Sequence, residues 1–98
     1  MAHLISYDIE NDKLRTRLAK MIIGRGAIRI QKSVFFADLS TQKTADLLVM
    51  LQDLEAELKV GDNIIVIPMY ESVLEKMIII GENIRFDEAI NLPNTYVF

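Results

Sequence analysis

The stretch Ala27-Ile28-Arg29-Ile30-Gln31-Lys32-Ser33-Val34-Phe35-Phe36-Ala37-Asp38-Leu39 decides the fold, because it is extended and open to two readings. It forms one long strand, or two short strands that reverse near Lys32-Ser33. Periodicity does not choose between them, since the Asn-Gly or Asp-Gly pair that marks a tight hairpin is missing. In an unbroken strand Arg29, Gln31, Ser33 and Phe35 share one face, and a reversal breaks that register.

Upstream, Gly24-Arg25-Gly26 ends a helix, as glycine takes the left-handed conformation that helix C-termini favour. Leu14, Leu18, Met21 and Ile22 make its apolar stripe, and Asn11 or Asp12 caps its start. Before it, Leu4-Ile5-Ser6-Tyr7-Asp8-Ile9 reads as a first strand. Downstream, Ser40 or Thr41 caps a second helix over about 41–58, with Leu47, Leu51, Leu54 and Leu58 on its inner stripe. Gly61-Asp62-Asn63 turns the chain into the strand Ile64-Ile65-Val66-Ile67, which Pro68 stops. A short helix over 71–76 and a small strand at Ile78-Ile79-Ile80 follow, the latter ended by Gly81. Thr95-Tyr96-Val97-Phe98 closes the chain as an edge strand.

Ninety-eight residues make one domain with a single modest core. Apolar residues are 51% and charged ones 26%, the balance of a folded chain rather than a disordered one. The longest apolar runs are far too short to span a membrane, and residues 1–6 carry no secretory pattern. No cysteine is present, which excludes disulfide frameworks and thiolate metal sites and fits a cytoplasmic setting. His3 is the single histidine, so neither a His–His acid–base pair nor a His-rich metal site forms within one chain.

The net charge of −3 hides an asymmetry. Residues 1–37 carry seven Lys or Arg against three acids, a balance of +4, and residues 38–98 balance at −7. A local positive field recruits phosphate whatever the total, because screening hides charges beyond roughly 8–10 Å.

Strand, helix, strands, helix, strand is the order of an α+β, ferredoxin-like βαββαβ sandwich, here with a short extra C-terminal strand. Residues 1–84 form this domain and 85–98 a tail, an edge strand or partner contact. Two helices cover one sheet face. The other, carrying Leu4 or Phe35, is expected to be covered by a second copy in a homodimer.

The run Tyr7-Asp8-Ile9, then Leu14-Arg15-x-Arg17, then Arg29-Ile30-Gln31-x-Ser33-Val34-Phe35 resembles the Cas-two family of CRISPR-associated proteins. The second helix, Ile65 to Pro68 and Ile79-Ile80-Gly81 follow the family order too, so the resemblance covers nearly the whole chain. It implies a ferredoxin-like homodimer that takes up new spacers with the Cas-one integrase on double-stranded DNA. It also implies that residues 27–39 form two strands. Members act as metal-dependent endonucleases on RNA or duplex DNA, or as scaffolds that span the captured duplex. A toxin-like endoribonuclease of the virulence-associated D type shares the fold and is the alternative. Phe36-Ala37-Asp38 departs from the family, many members of which have an acid followed by glycine there.

The resemblance places the family's strand-tip acid on Asp8, as catalytic residue and Mg2+ ligand. Magnesium is usually held by one or two carboxylates plus waters and phosphates, so the expected site is a dimer axis where two Asp8 side chains meet. Lys13, Arg15, Arg17 and Arg29 are the expected nucleic-acid contacts, since Arg forks track a phosphate backbone without reading bases. Arg15 lies about 100° from Leu14 and so off the apolar stripe. Tyr7, Ser33 and Phe35 are expected in support or on the dimer face, Tyr7 as a half-buried strand tyrosine rather than as a phenolic donor near Asp8. Asp8, Glu10 and Asp12 also resemble the start of a calcium loop, but Lys13 and Ala19 stand where it needs glycine and glutamate.

Overall fold

The structure is a computed structural model that describes residues 1–90. Its elements run β1 (Ala2–Asp8), α1 (Asp12–Gly24), β2 (Ile28–Gln31), β3 (Val34–Asp38), α2 (Thr41–Asp53), β4 (Asn63–Met69), α3 (Glu71–Lys76) and α4 (Ile84–Ile90). The four strands form one antiparallel sheet in the order β2-β3-β1-β4, the ferredoxin-like arrangement. Among the described residues no helix is long and apolar enough to cross a membrane.

Residues 27–39 form two strands that reverse at Lys32-Ser33, with a register irregularity between Arg29 and Gln31. Local signals set both main helices. The Asn11 side chain accepts the Leu14 N–H at 2.9 Å, and Ser40 Oγ accepts the Lys43 N–H at 3.3 Å, so each helix start has its capping oxygen. Gly26 follows α1 with φ of +102°, and a Cβ there would stand 3.0 Å from Leu39, so the turn into β2 requires glycine twice over. The second helix is shorter than its leucine spacing predicts. It ends at Asp53 and tightens into a 3-10 turn, Leu54–Glu57, a common way for helix C-termini to close.

Successive strand residues point to opposite faces, so the sheet carries two cores. Under α1 and α2 lie Ile5, Tyr7, Phe35 and Ala37, packed with Leu18, Ile22 and Leu47. Ile5, Leu18, Ile22, Phe35 and Leu47 are the largest fully buried side chains, and burying each such residue contributes roughly 1.5–3 kcal/mol. The far face carries a second core of Ala2, Phe36, Met69, Leu74 and Phe86.

Four expectations about this far face and its edge need correction. The far face is not left wholly bare, because α3 and α4 of the same chain lie on it through Leu74 and Phe86, and only the part around Ile65 and Ile67 stays open to a second copy. Phe35, expected on the dimer face, is buried beneath the helices, and its neighbour Phe36 occupies the far side. The run Ile78-Ile79-Ile80 is not an extra strand. It crosses the far face with no strand pairing among the described residues, with Met77 and Ile79 packed inward and Ile78 and Ile80 exposed. Pro68 does not stop β4, which continues to Met69.

The reason for the last is register. Tyr7 N–H donates to Ser33 C=O at 3.1 Å, so odd residues of β1 aim their backbone groups at β3 and even ones at β4. Leu4 then faces Ile67 and Ser6 faces Ile65, which leaves Ile64, Val66 and Pro68 with backbone groups turned outward. Pro68 lacks an N–H where the ladder needs none. The expected edge strand at Thr95–Phe98 lies outside the described residues.

Candidate nucleic-acid interface

Asp8 closes β1 at the sheet end where the β2–β3 turn and the Gly61-Asp62-Asn63 turn also lie. Its register partner is Asn63, on the same face. The carboxylate is exposed, and no hydrogen bond or ion pair from a described residue engages it. Among the described residues no three His, Asp or Glu side chains gather into a metal cluster. One carboxylate per chain supplies a single ligand and is too little for a stable magnesium site by itself; waters, phosphate oxygens or a second carboxylate would have to complete the shell.

The four expected cations divide into two kinds. Arg15 and Arg17 are engaged within the chain. Arg15 Nη1 donates to the carbonyls of Ile9 at 2.9 Å and Glu10 at 3.0 Å, while its Nη2 pairs with Asp12. Arg17 pairs with Glu57 across the helix layer. Lys13 forms no ion pair with a described residue, and Arg29 keeps its guanidinium over the Phe35 ring, 5.2 Å from the centroid. The Arg29 Nε is buried without a hydrogen-bond partner among the described residues, so a donor there remains unspent.

Two open clefts flank this end of the sheet. One, of about 220 Å³, is lined by Tyr7, Arg15, Thr16, Arg29, Lys32 and Ser33, with Asp12 at its rim. The other, of about 280 Å³, gathers Lys13, Arg17 and Lys59 beside Asn11, Glu57 and Asp62. Tyr7 and Ser33 line the same cleft as Arg29. Tyr7 points to the helix-covered face and stacks on Phe35 (centroids 5.9 Å apart), so its hydroxyl is directed away from the Asp8 side of the sheet. Lys32 and Lys59 are additions that sequence reasoning missed. Lys32 stands at the turn between two expected residues, a signal within reach. Lys59 sits in the acidic half, and only the pairing of β4 with β1 brings it to this end.

Asp62 shapes the same end. Its Oδ1 accepts the Glu10 N–H at 3.1 Å and its Oδ2 the Lys59 N–H at 3.0 Å. These backbone donors, Lys59 first and Glu10 second, hold its carboxyl below the usual value of 3.8. The contribution to stability is therefore complete above the ordinary carboxylate range and is lost as pH falls through the lowered folded-state value.

The chain matches the family described as CRISPR associated protein Cas2 over residues 1–77. It is 33% identical over 81 residues to a protein of Pyrobaculum aerophilum named CRISPR-associated endoribonuclease Cas2 1, covering 83% of this chain and 81% of that one. A Francisella tularensis subsp. novicida protein of the same name is 32% identical over 75 residues, 74% of each chain. Among solved structures, Streptococcus pyogenes Cas2 superposes with a TM-score of 0.64 at 21% identity, over 83% of this chain and all of that one, a likeness of fold. A hypothetical protein from Thermus thermophilus gives a TM-score of 0.58 at 30% identity, over 70% of this chain and 80% of that one.

Proposed function

The chain belongs to the Cas2 family of CRISPR-associated proteins, and on that premise we propose that it serves spacer acquisition in the cytoplasm, binding double-stranded DNA as a homodimer beside the Cas-one integrase. The observation that carries this reading is the sheet end itself, where Arg29 and Lys32 on one side and Lys13 and Lys59 on the other present cations to solvent. Such groups bind phosphates without reading bases, the requirement for taking up DNA of any sequence. The acidic total does not oppose it: Glu57 and Asp62 do reach this end, but Glu57 is spent on Arg17 and Asp62 on backbone N–H groups, and acids farther than about 8–10 Å away are screened.

Dimer formation is supported by apolar residues left exposed on the far side of the sheet. Ile65 and Ile67 of β4 are 53% and 43% exposed, and Ile78 and Ile80 of the crossing segment 67% and 95%. Exposed aliphatic groups on one side suit burial against a second copy. Ile67→Asp is expected to shift the chain from dimer to monomer in light scattering across a concentration series, with its melting temperature little changed. A dimer that survives the substitution would place the interface elsewhere.

A second reading is phosphodiester hydrolysis on RNA at Asp8, favoured by the endoribonuclease names of the relatives and by the unengaged carboxylate. Asp8 would hold Mg2+ at the reacting phosphate, while Arg29 and Lys32, in the cleft on the helix-covered side, would hold the flanking backbone. The ion supplies charge stabilisation and a more acidic bound water. The toxin-like variant of this reading requires growth arrest on expression of the chain alone.

The deciding experiment is spacer integration by the Cas-one integrase with wild type beside Asp8→Ala. Integration is expected to continue in the variant, with duplex affinity equal or higher because a negative charge has been removed. RNA cleavage lost in Asp8→Ala, in a wild type that does not stimulate integration, would hand the function to the second reading.

A further inference from the structure

The chain just after Asp8 is gripped from two directions. Glu10 donates its N–H to Asp62, 52 residues further along the chain, and gives its C=O to Arg15, which also takes the Ile9 C=O. The turn that delivers Asp62 is shaped in turn by Gly61, at φ of +91°, and by Asn63, whose side-chain amide donates to the Gly61 C=O at 3.3 Å. Ile9, the residue after Asp8, is buried in the helix-side core, and the hydrogen bonds at Glu10 add to that anchor on the exposed side. Here the exit from β1 is pinned to the entrance of β4 and to the first turns of α1, with Asp8 at the pinned point.

We propose that Asp62 is a positioning residue for Asp8, fixing through the Glu10 amide, together with Arg15, the place at which the Asp8 carboxylate stands. The inference rests on the reading of Asp8 as the metal-holding carboxylate. Nothing in the sequence pointed to it, because Asp62 reads there only as a turn former. Arg15 acquires a second role as well. Its guanidinium organises the strand end from within, whereas Arg29 and Lys32 line the open cleft. Residues that hold a ligand-bearing segment typically change metal affinity or activity by about 10- to 100-fold when replaced, although they touch neither metal nor substrate.

The test uses the full chain, as wild type, Asp62→Ala, Asp62→Asn and Asp8→Asn, with Mn2+ as the probe ion and 15N relaxation as the second readout. Mn2+ is expected to broaden the amides around Asp8 in wild type and not in Asp8→Asn. In Asp62→Ala the Mn2+ affinity falls by about 10- to 100-fold, and backbone order parameters at residues 8–10 drop from a rigid level near 0.85, while those of α1 are retained. Asp62→Asn keeps one carbonyl acceptor and falls between the two. Unchanged order at residues 8–10 in Asp62→Ala overturns the proposal whatever the metal does. Reduced order with unchanged Mn2+ affinity also overturns it, leaving Asp62 a purely structural group. Should Mn2+ not distinguish wild type from Asp8→Asn, the metal reading of Asp8 falls by itself, and the order parameters alone decide whether Asp62 holds the strand end.

Discussion

Phe35→Ala is expected to destabilise the protein by about 3–5 kcal/mol, as removal of a buried aromatic ring does when the surroundings collapse only partly. Phe35 is completely buried, stacks on Tyr7 and carries the Arg29 guanidinium on its ring. Total stabilities of such domains are roughly 5–15 kcal/mol, so the variant would approach the unfolding threshold at ordinary temperature. Urea unfolding followed by circular dichroism measures it. A loss under about 1 kcal/mol would contradict the packing described, since only a largely exposed or freely collapsing site gives so little. The consequence extends to binding, because Arg29 loses the platform that aims it into its cleft.

Replacing Arg29 and Lys32 together by Ala is expected to weaken duplex binding and to lower the slope of log K against log salt by roughly 2, about one unit for each phosphate that is no longer neutralised. Fluorescence anisotropy over a salt series reads both quantities. Arg15→Ala should behave differently. Its donors hold two backbone carbonyls and pair with Asp12, so stability falls while the salt slope is largely kept. An unchanged slope in the Arg29 and Lys32 double variant would remove that cleft from the interface.

What the sequence discloses is mostly what neighbours along the chain determine. The stripe of Leu14, Leu18 and Ile22 and the capping oxygens of Asn11 and Ser40 act within one or two helical turns, and both helices begin where those signals lie. The reversal at Lys32-Ser33 has no glycine to announce it, so only the family resemblance favoured it. Pairing of β3 with β1 puts Phe35 beside Ile5 under the helices and Phe36 beside Leu4 on the far face, a choice that two adjacent phenylalanines do not reveal by themselves. The isoleucines at 78–80 have strand composition, but the segment lies across the sheet with Ile79 packed on the far-face core, so composition was overridden by position. Charges were the least legible part. Whether an arginine meets phosphate or a carboxylate of its own chain depends on partners such as Glu57, 40 residues away from Arg17.

The two cores on opposite faces of one sheet give the molecule two separate scales of stability. The helix-covered core joins α1 and α2 to three strands, while α4 rests on the far face through Phe86 against Phe36 and through Asn83, which caps the helix and donates to the Ile30 carbonyl. A seven-residue helix has no independent stability. Its amides should therefore exchange with solvent through a local opening that leaves the sheet and α1 protected. The far face would then alternate between a closed surface and one that bares Phe36, without any unfolding of the rest.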